Sequence, residues 1–164
     1  VSNFRADCSN CCGLCCIVPA QLSAQGFPAD KPANTPCGYL NACHQCSIHE
    51  RRVEYGYQAC AGFDCFGAGQ WITQTLFANA RWSDSPDIAS RMFAAYRFWL
   101  PRFEAAALLE AALPHVRDDA RRLLAARIAA LTDAEVVAAV TPTDGSRLRR
   151  DTLALIRSVL AASR

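Results

Sequence analysis

From about residue 69 onward, apolar side chains recur every three to four positions, the period of an α-helix. The spacing predicts a helix over 70–81, with Trp71, Thr75 and Ala78 on one stripe and Ile72, Leu76 and Phe77 beside it. Ser85-Pro86-Asp87 then combines an N-cap, a proline at the first helical position and an acid in the first turn. The helix it starts carries Ile88, Met92, Tyr96 and Trp99, widened by Phe93 and Leu100. Pro101 either kinks that helix or opens the next, which is expected to run to Leu113. Residues 117–131 put Ala120, Leu123, Leu124, Ile128 and Leu131 on one face. Thr132-x-x-Glu135 reads as the capping box of a short helix, and 141–146 as a loop. Asp144 is expected to cap a last helix with Leu148, Leu155, Ile156 and Val159 inward. Five or six helices predict a small bundle.

Before residue 69 the periodicity is missing. Residues 19–42 contain Pro19, Pro28, Pro32 and Pro36 with Gly26 and Gly38, a composition that disfavours long helices and strands. The expected fold is therefore mainly α: a loop-rich module over 1–68 packed on a helical bundle over 69–164. The dense aromatic set Trp71, Phe77, Trp82, Phe93, Tyr96, Phe98 and Trp99 reads mostly as core, with a pocket for a flat ligand as the alternative.

About half of the residues are hydrophobic, enough for a real core in 164 residues. The net charge is only +2, and neither half carries the one-sided field of a dedicated nucleic-acid binder. Arg147, Arg149 and Arg150 read as a solvated helix face, with an acidic partner or nucleic acid as the alternative. The first seven residues are polar, and no apolar run nears the roughly 18 residues of a membrane span. The expectation is a cytoplasmic protein that makes no membrane contact.

The chemistry lies in the first 65 residues, which hold all ten cysteines. Cys8, Cys11, Cys12, Cys15 and Cys16 fall in the string CSNCCGLCC; Cys37, Cys43, Cys46, Cys60 and Cys65 follow. CxxC spacing occurs three times, at Cys8–Cys11, Cys12–Cys15 and Cys43–Cys46. A two-residue gap turns the backbone so that both sulfurs face one ion. Disulfides are the rival reading. Against them, adjacent cysteines are poorly placed to bridge one another, and the helical half has no need of staples. Zinc asks for four thiolate or imidazole ligands, and an iron–sulfur cluster for four thiolates in a shell that excludes water. The apolar stretch Gly13-Leu14-Cys15-Cys16-Ile17-Val18-Pro19 suits such a shell, although Cys8-x2-Cys11-x3-Cys15 is not the ferredoxin spacing. Either way, folding of this half should be coupled to the metal.

The string CSNCCGLCC, followed by TPCGYL, CSIHERR and the pair Cys60 and Cys65, resembles the YkgJ-like cysteine-cluster family, described as zinc- or iron-chelating. The likeness covers roughly residues 5–82. It is nearest to the version that precedes pentapeptide repeats in actinobacterial-type proteins, where the module ends in DCFGAGQ, as residues 64–70 do here. The pentapeptide repeats themselves are absent from this chain. Carried over position by position, the resemblance implies Cys8, Cys11, Cys15, Cys16, Cys37, Cys46, Cys60 and Cys65 as metal ligands. Cys12 and Cys43 fall where its pattern does not ask for cysteine. It also implies a centre of either [4Fe–4S] or zinc type, without naming a reaction.

His49 completes a C-x-x-H spacing with Cys46 and is a candidate ligand; the plainer reading is a packing position. His44 is a weaker candidate, and His115 beside Pro114 reads as a loop or helix-start residue. Asp64 reads as a turn residue or helix cap, with a role beside a metal ligand or as a general base as the alternative. Gly62, Gly67 and Gly69 read as tight backbone around a metal, where amides donate to sulfur, and Gly67-Ala68-Gly69 lacks the lysine of a phosphate loop. Three functional classes follow: a structural or sensory metal module that binds a protein partner, an enzyme or accessory subunit of redox or group transfer, and metal storage or delivery. For the second, Asp64, His49 and Arg51 are the residues expected to line a cleft.

Overall fold

Helix-starting signals, not helix propensity alone, decide where order begins in this chain. The computed structural model describes residues 4–133 and 144–163. Among them lie six α-helices: α1 Leu14–Ile17, α2 Gln58–Ala61, α3 Ala68–Trp71, α4 Pro86–Ala112, α5 Asp118–Thr132 and α6 Gly145–Ala162. No β-strand occurs among the described residues, so the fold is mainly α. None of these helices is long and apolar enough to cross a membrane.

The chain divides into two compact units, Arg5–Arg97 and Phe98–Arg164 with Val1–Phe4. In the first, α1 starts at Gly13, whose φ is 73°. A Cβ there would lie 2.6 Å from Leu40 Cδ1 and 2.7 Å from the His44 carbonyl, so only glycine fits. Most of 18–57 is loop, closed by two isolated antiparallel bridges, Gln21 with Lys31 and Leu40 with Cys46. Its apolar centre is Leu14, Ile17, Val18, Ile48, Ala68, Ile72, Met92 and Phe93, all buried.

The helix predicted over 70–81 starts two residues early and stops sooner. α3 passes into a π turn over Ile72–Leu76, closed by the Phe77 amide donating to the Ile72 carbonyl. Ala78 and Asn79 then take positive φ (48° and 67°), which an α-helix excludes. Thr73 contributes to the break: its hydroxyl donates to the Gly69 carbonyl at 2.9 Å, a side-chain bond inside the turn. Ser85 starts α4 as expected, its Oγ accepting from the Ile88 amide at 3.2 Å.

Pro101 neither ends α4 nor opens a new helix; 27 residues run through it, and the boundary between the units falls inside α4. In the second unit the buried core is aliphatic: Ala105, Leu109, Ala112, Val116, Leu124, Leu131, Leu148 and Val159. Arg102 is also buried, its guanidinium stacked 3.6 Å from the Phe98 ring centre and donating to the Phe98 carbonyl at 2.7 Å. Asp144 caps α6 as expected, accepting from the Ser146 amide at 3.1 Å. Glu135 of the expected capping box and residues 141–143 of the expected loop lie outside the described residues, while 145 and 146 belong to α6.

Candidate metal centre

Cys8, Cys11, Cys15 and Cys65 line one small cavity, with Asp7, Gly69, Gln70 and Tyr96. Its volume is about 20 Å³, room for one water-sized species. Cys8 lies in a 3₁₀ turn whose cap is Asp7, which accepts from the Ser9 amide at 3.1 Å. Cys11 follows that turn, Cys15 lies in α1 and Cys65 precedes α3.

The backbone turns amides toward two of these sulfurs. Leu14 and Gly13 amides donate to Cys11, and Gly69 and Gly67 amides to Cys65. Such bonds favour the thiolate, although burial prevails in the metal-free protein. Burial pushes the Cys11 thiol up to about 12 and raises Cys65. Cys8 remains open to solvent on one side, and even so desolvation, reinforced by Cys15 and Cys65, takes it to about 11. Cys15 is held well above the ordinary thiol value by its hydrogen bond with Cys16 and by burial. Without a cation these groups stay protonated; a metal ion supplies the charge that makes four thiolates stable there.

Gly69 and Tyr96 complete the cavity; the sequence reads Gly69 as tight backbone around a metal and does not place Tyr96 beside the thiols. A Cβ on Gly69 would lie 2.8 Å from Cys11 Sγ and 3.7 Å from Cys65 Sγ, so the absent side chain is what lets both sulfurs approach. Tyr96 is only 2% exposed, and its hydroxyl has no hydrogen-bond partner among the described residues. Burial and then the Cys15, Cys65, Cys11 and Cys16 thiols hold its phenol well above the usual tyrosine value. An unpartnered O–H beside four thiols is an available donor to a thiolate. The sequence reads Tyr96 as core, with a pocket for a flat ligand as the alternative.

Of the other expected ligands, Cys16, Cys37 and Cys60 lie near Lys31, and Cys37 and Cys60 near Tyr57. The Cys37 amide donates to the Cys16 carbonyl at 2.9 Å, and Cys15 and Cys16 sulfurs lie 4.0 Å apart. Desolvation, then the Cys15, Cys37 and Cys46 thiols, takes Cys60 to about 11. Cys12 points elsewhere: it is buried with its sulfur 3.3 Å from Met92 Sδ and 3.4 Å from Thr73 Oγ1. Cys43 is exposed. All ten cysteines are free, with no disulfide. As they lie, no three His, Cys, Asp or Glu side chains among the described residues form a group tight enough to hold an ion. Around a metal the cavity thiols must therefore draw inward or span something larger than one atom.

His49 presents Nε2 to Cys8 Sγ at 3.9 Å, and its Nδ1 lies 2.9 Å from Glu50. It thus stands at the solvent side of Cys8 rather than among the buried thiols. His44 bridges Ser83 and Arg81 at 3.0 Å each, and burial, then Arg81, lowers its pKa. His115 lies in a 3₁₀ turn of the second unit. Asp64 accepts from the Phe66 amide at 2.7 Å, the turn geometry expected of it. Arg51 stacks its guanidinium 5.1 Å from the Tyr55 ring centre.

The class defined so far is a cysteine-rich, mainly α protein with four thiols and a buried phenol around one cavity. Its relatives are cysteine-rich as well, which is consistent with metal binding. The UPF0153 protein of Pseudomonas aeruginosa is 34% identical over 77 residues, 46% of this chain and 92% of that one. This chain belongs to the UPF0153 family. It is also similar to YybG of Bacillus subtilis, 40% identical over 91 residues, 56% of this chain and 33% of that protein. YeiW of Escherichia coli is 44% identical over 43 residues, 26% of this chain and 51% of that protein. The match thus spans about a third of YybG and half of YeiW. No family profile and no solved structure matches the chain.

Proposed function

We propose that this protein is a metal-binding protein whose centre is held by Cys8, Cys11, Cys15 and Cys65. The observation that carries the reading is the buried, unpartnered Tyr96 hydroxyl in a cavity lined by those four thiols. A fold that leaves a phenol O–H unsatisfied in its interior forgoes about 1–3 kcal/mol unless something completes it. Thiolates on a cation would do so. The amides aimed at Cys11 and Cys65 support the same charge state. The opening run CSNCCGLCC supports a YkgJ-like reading within UPF0153.

A cavity of about 20 Å³ favours a single ion, zinc or ferrous iron, drawn between the sulfurs. An iron–sulfur cluster is the second reading, favoured by the wide spacing of thiols that hold no tight triplet. The bound metal supplies a Lewis-acidic or redox-active charge; the chain's own part is to gather the thiols, exclude water and donate hydrogen bonds to sulfur. Ten free thiols fit a reducing compartment such as the cytoplasm. The test is the metal content and visible spectrum of protein purified without oxygen. Zinc in a colourless protein fixes the single-ion reading. Iron with acid-labile sulfide and absorption near about 400 nm fixes the cluster. Neither metal, with disulfides throughout, overturns both.

A further inference from the structure

The four cavity thiols differ in reach. Cys65 is buried, Cys11 and Cys15 are half-buried, and Cys8 is exposed. An ion arriving from solvent therefore meets the Cys8 sulfur first. His49 stands at that sulfur, with Nε2 3.9 Å from Cys8 Sγ. The chain holds the imidazole from a fixed base. Ile48 is buried and begins the 3₁₀ turn His49–Arg51, and the Arg51 amide donates back to the Ile48 carbonyl at 2.8 Å. The His49 amide donates to the Cys46 carbonyl at 3.3 Å.

Glu50 fixes which ring nitrogen is free. Its carboxylate lies 2.9 Å from His49 Nδ1. An ionised carboxylate only accepts, so Nδ1 carries the proton and Nε2 of the neutral ring keeps its lone pair on the side of Cys8. A carboxylate on the far nitrogen is the arrangement that orients an imidazole toward a metal and strengthens it as a ligand. The separation fits the same use. Zinc lies about 2.3 Å from sulfur and about 2.0–2.1 Å from nitrogen, so one ion spans 3.9 Å at an S–Zn–N angle of about 125°. A small side-chain shift brings that angle to the tetrahedral value. Two ligands hold an ion weakly, and no third His, Cys, Asp or Glu among the described residues completes a group with them. Weak two-point holding suits transfer, not storage. Cys8 also lines the cavity, so an ion can pass to Cys11, Cys15 and Cys65 without leaving its first ligand.

We propose that Cys8 and His49, with Glu50 behind the imidazole, form an entry site for a thiophilic divalent cation at the solvent side of the four-thiol cavity. The proposal rests on the metal-centre reading and adds to it a residue outside the cavity. His49 is a loading ligand, and the finished centre is left to the four thiols.

The test is stopped-flow loading of the reduced, metal-free full chain with zinc in the absence of oxygen, with a chromophoric chelator reading uptake and release. His49→Ala should slow loading by about tenfold, the low end of what breaking a carboxylate–imidazole pair does in other metal sites. Release should slow by the same factor, because a transfer ligand lowers the barrier and leaves both end states alone; the number of ions held stays the same. His49→Cys restores a ligand at the entry and should recover the rate, which a merely structural role for the imidazole would not allow. Glu50→Gln should slow loading less than His49→Ala. Equal loading in wild type and His49→Ala overturns the entry site and leaves the four-thiol centre standing. Faster release with weaker affinity makes His49 a resident ligand and overturns the entry role. A wild type that takes up no zinc overturns both. Should the His49 variants fail to fold, Glu50→Gln decides, since its carboxylate is 92% exposed: loading at the wild-type rate sinks the proposal.

Discussion

The two units of this chain hold themselves together by different means. Phe98–Arg164 buries leucines, valines and alanines from three helices, the ordinary hydrophobic solution. Arg5–Arg97 has long loops, a lysine bound to backbone carbonyls and a cavity walled by thiols and a phenol. The first kind of core is finished when the chain folds. The second contains groups whose requirements the polypeptide alone leaves unmet: raised thiols and an unpartnered hydroxyl. The contrast teaches that one unit is specified by apolar periodicity, and the other by the spacing of its cysteines and the turns between them.

The hardest way to break this comparison is to strip the metal. Chelation should collapse protection in Arg5–Arg97 while α5 and α6 keep theirs, read by amide hydrogen exchange. Structural zinc contributes about 10–16 kcal/mol in small thiolate domains, far above any single contact here. Equal loss in both units would refute the division. The converse is Leu124→Ala, which empties a fully buried position in α5. It should cost about 2–5 kcal/mol in denaturant unfolding and leave metal content unchanged. Gly69→Ala comes next. Its Cβ meets Cys11 Sγ, so about 1–3 kcal/mol of overpacking should appear together with faster zinc loss to a chelator.

Tyr96→Phe should act in opposite directions in the two states. In the metal-free protein it removes a buried unsatisfied hydroxyl and is neutral or stabilising by about 1 kcal/mol. In the loaded protein it removes a donor and weakens metal retention by a similar amount. A loss of stability in both states would refute the donor role. Alkali acts on the metal-free protein alone. Cys8 and Cys60 are raised from 9.0 to about 11, so the folded form binds more protons than the unfolded chain between those values. Their contribution is complete below pH 9 and lost as pH rises through 11, which melting curves across that window will show. Metal binding expels these protons, so the loaded protein should lack this alkaline loss.

The helical unit was legible from its periodicity. Asp144 and Ser85 cap where they were expected to, because a cap is a local signal readable from a few residues. Pro101 was harder: the missing amide is local, whereas the packing that keeps α4 going comes from distant residues. The early end of α3 depends on Thr73 turning its hydroxyl back to Gly69, one of two orientations open to that side chain. In the cysteine unit, spacing named the thiols but not their grouping. Cys11 and Cys12 are neighbours in sequence, and one faces the cavity while the other packs on Met92. The sequence could name Tyr96 as an aromatic of a core or pocket but not place it beside the thiols, because that depends on α4 meeting cysteines about 30 to 90 positions away.

Cys8, Cys11 and Cys15 lie within the first fifteen residues, and Cys65 is fifty positions further on. The cavity therefore closes only when the segment after Cys65 reaches the opening turn, where the Asp7 amide donates to Gln70 Oε1 at 2.7 Å and Gln70 Nε2 to the Arg5 carbonyl at 2.9 Å. At about 5–20 residues per second of synthesis, that closure trails the first thiols by several seconds. The grouping of the four thiols is thus a product of the finished fold and not of the opening run alone.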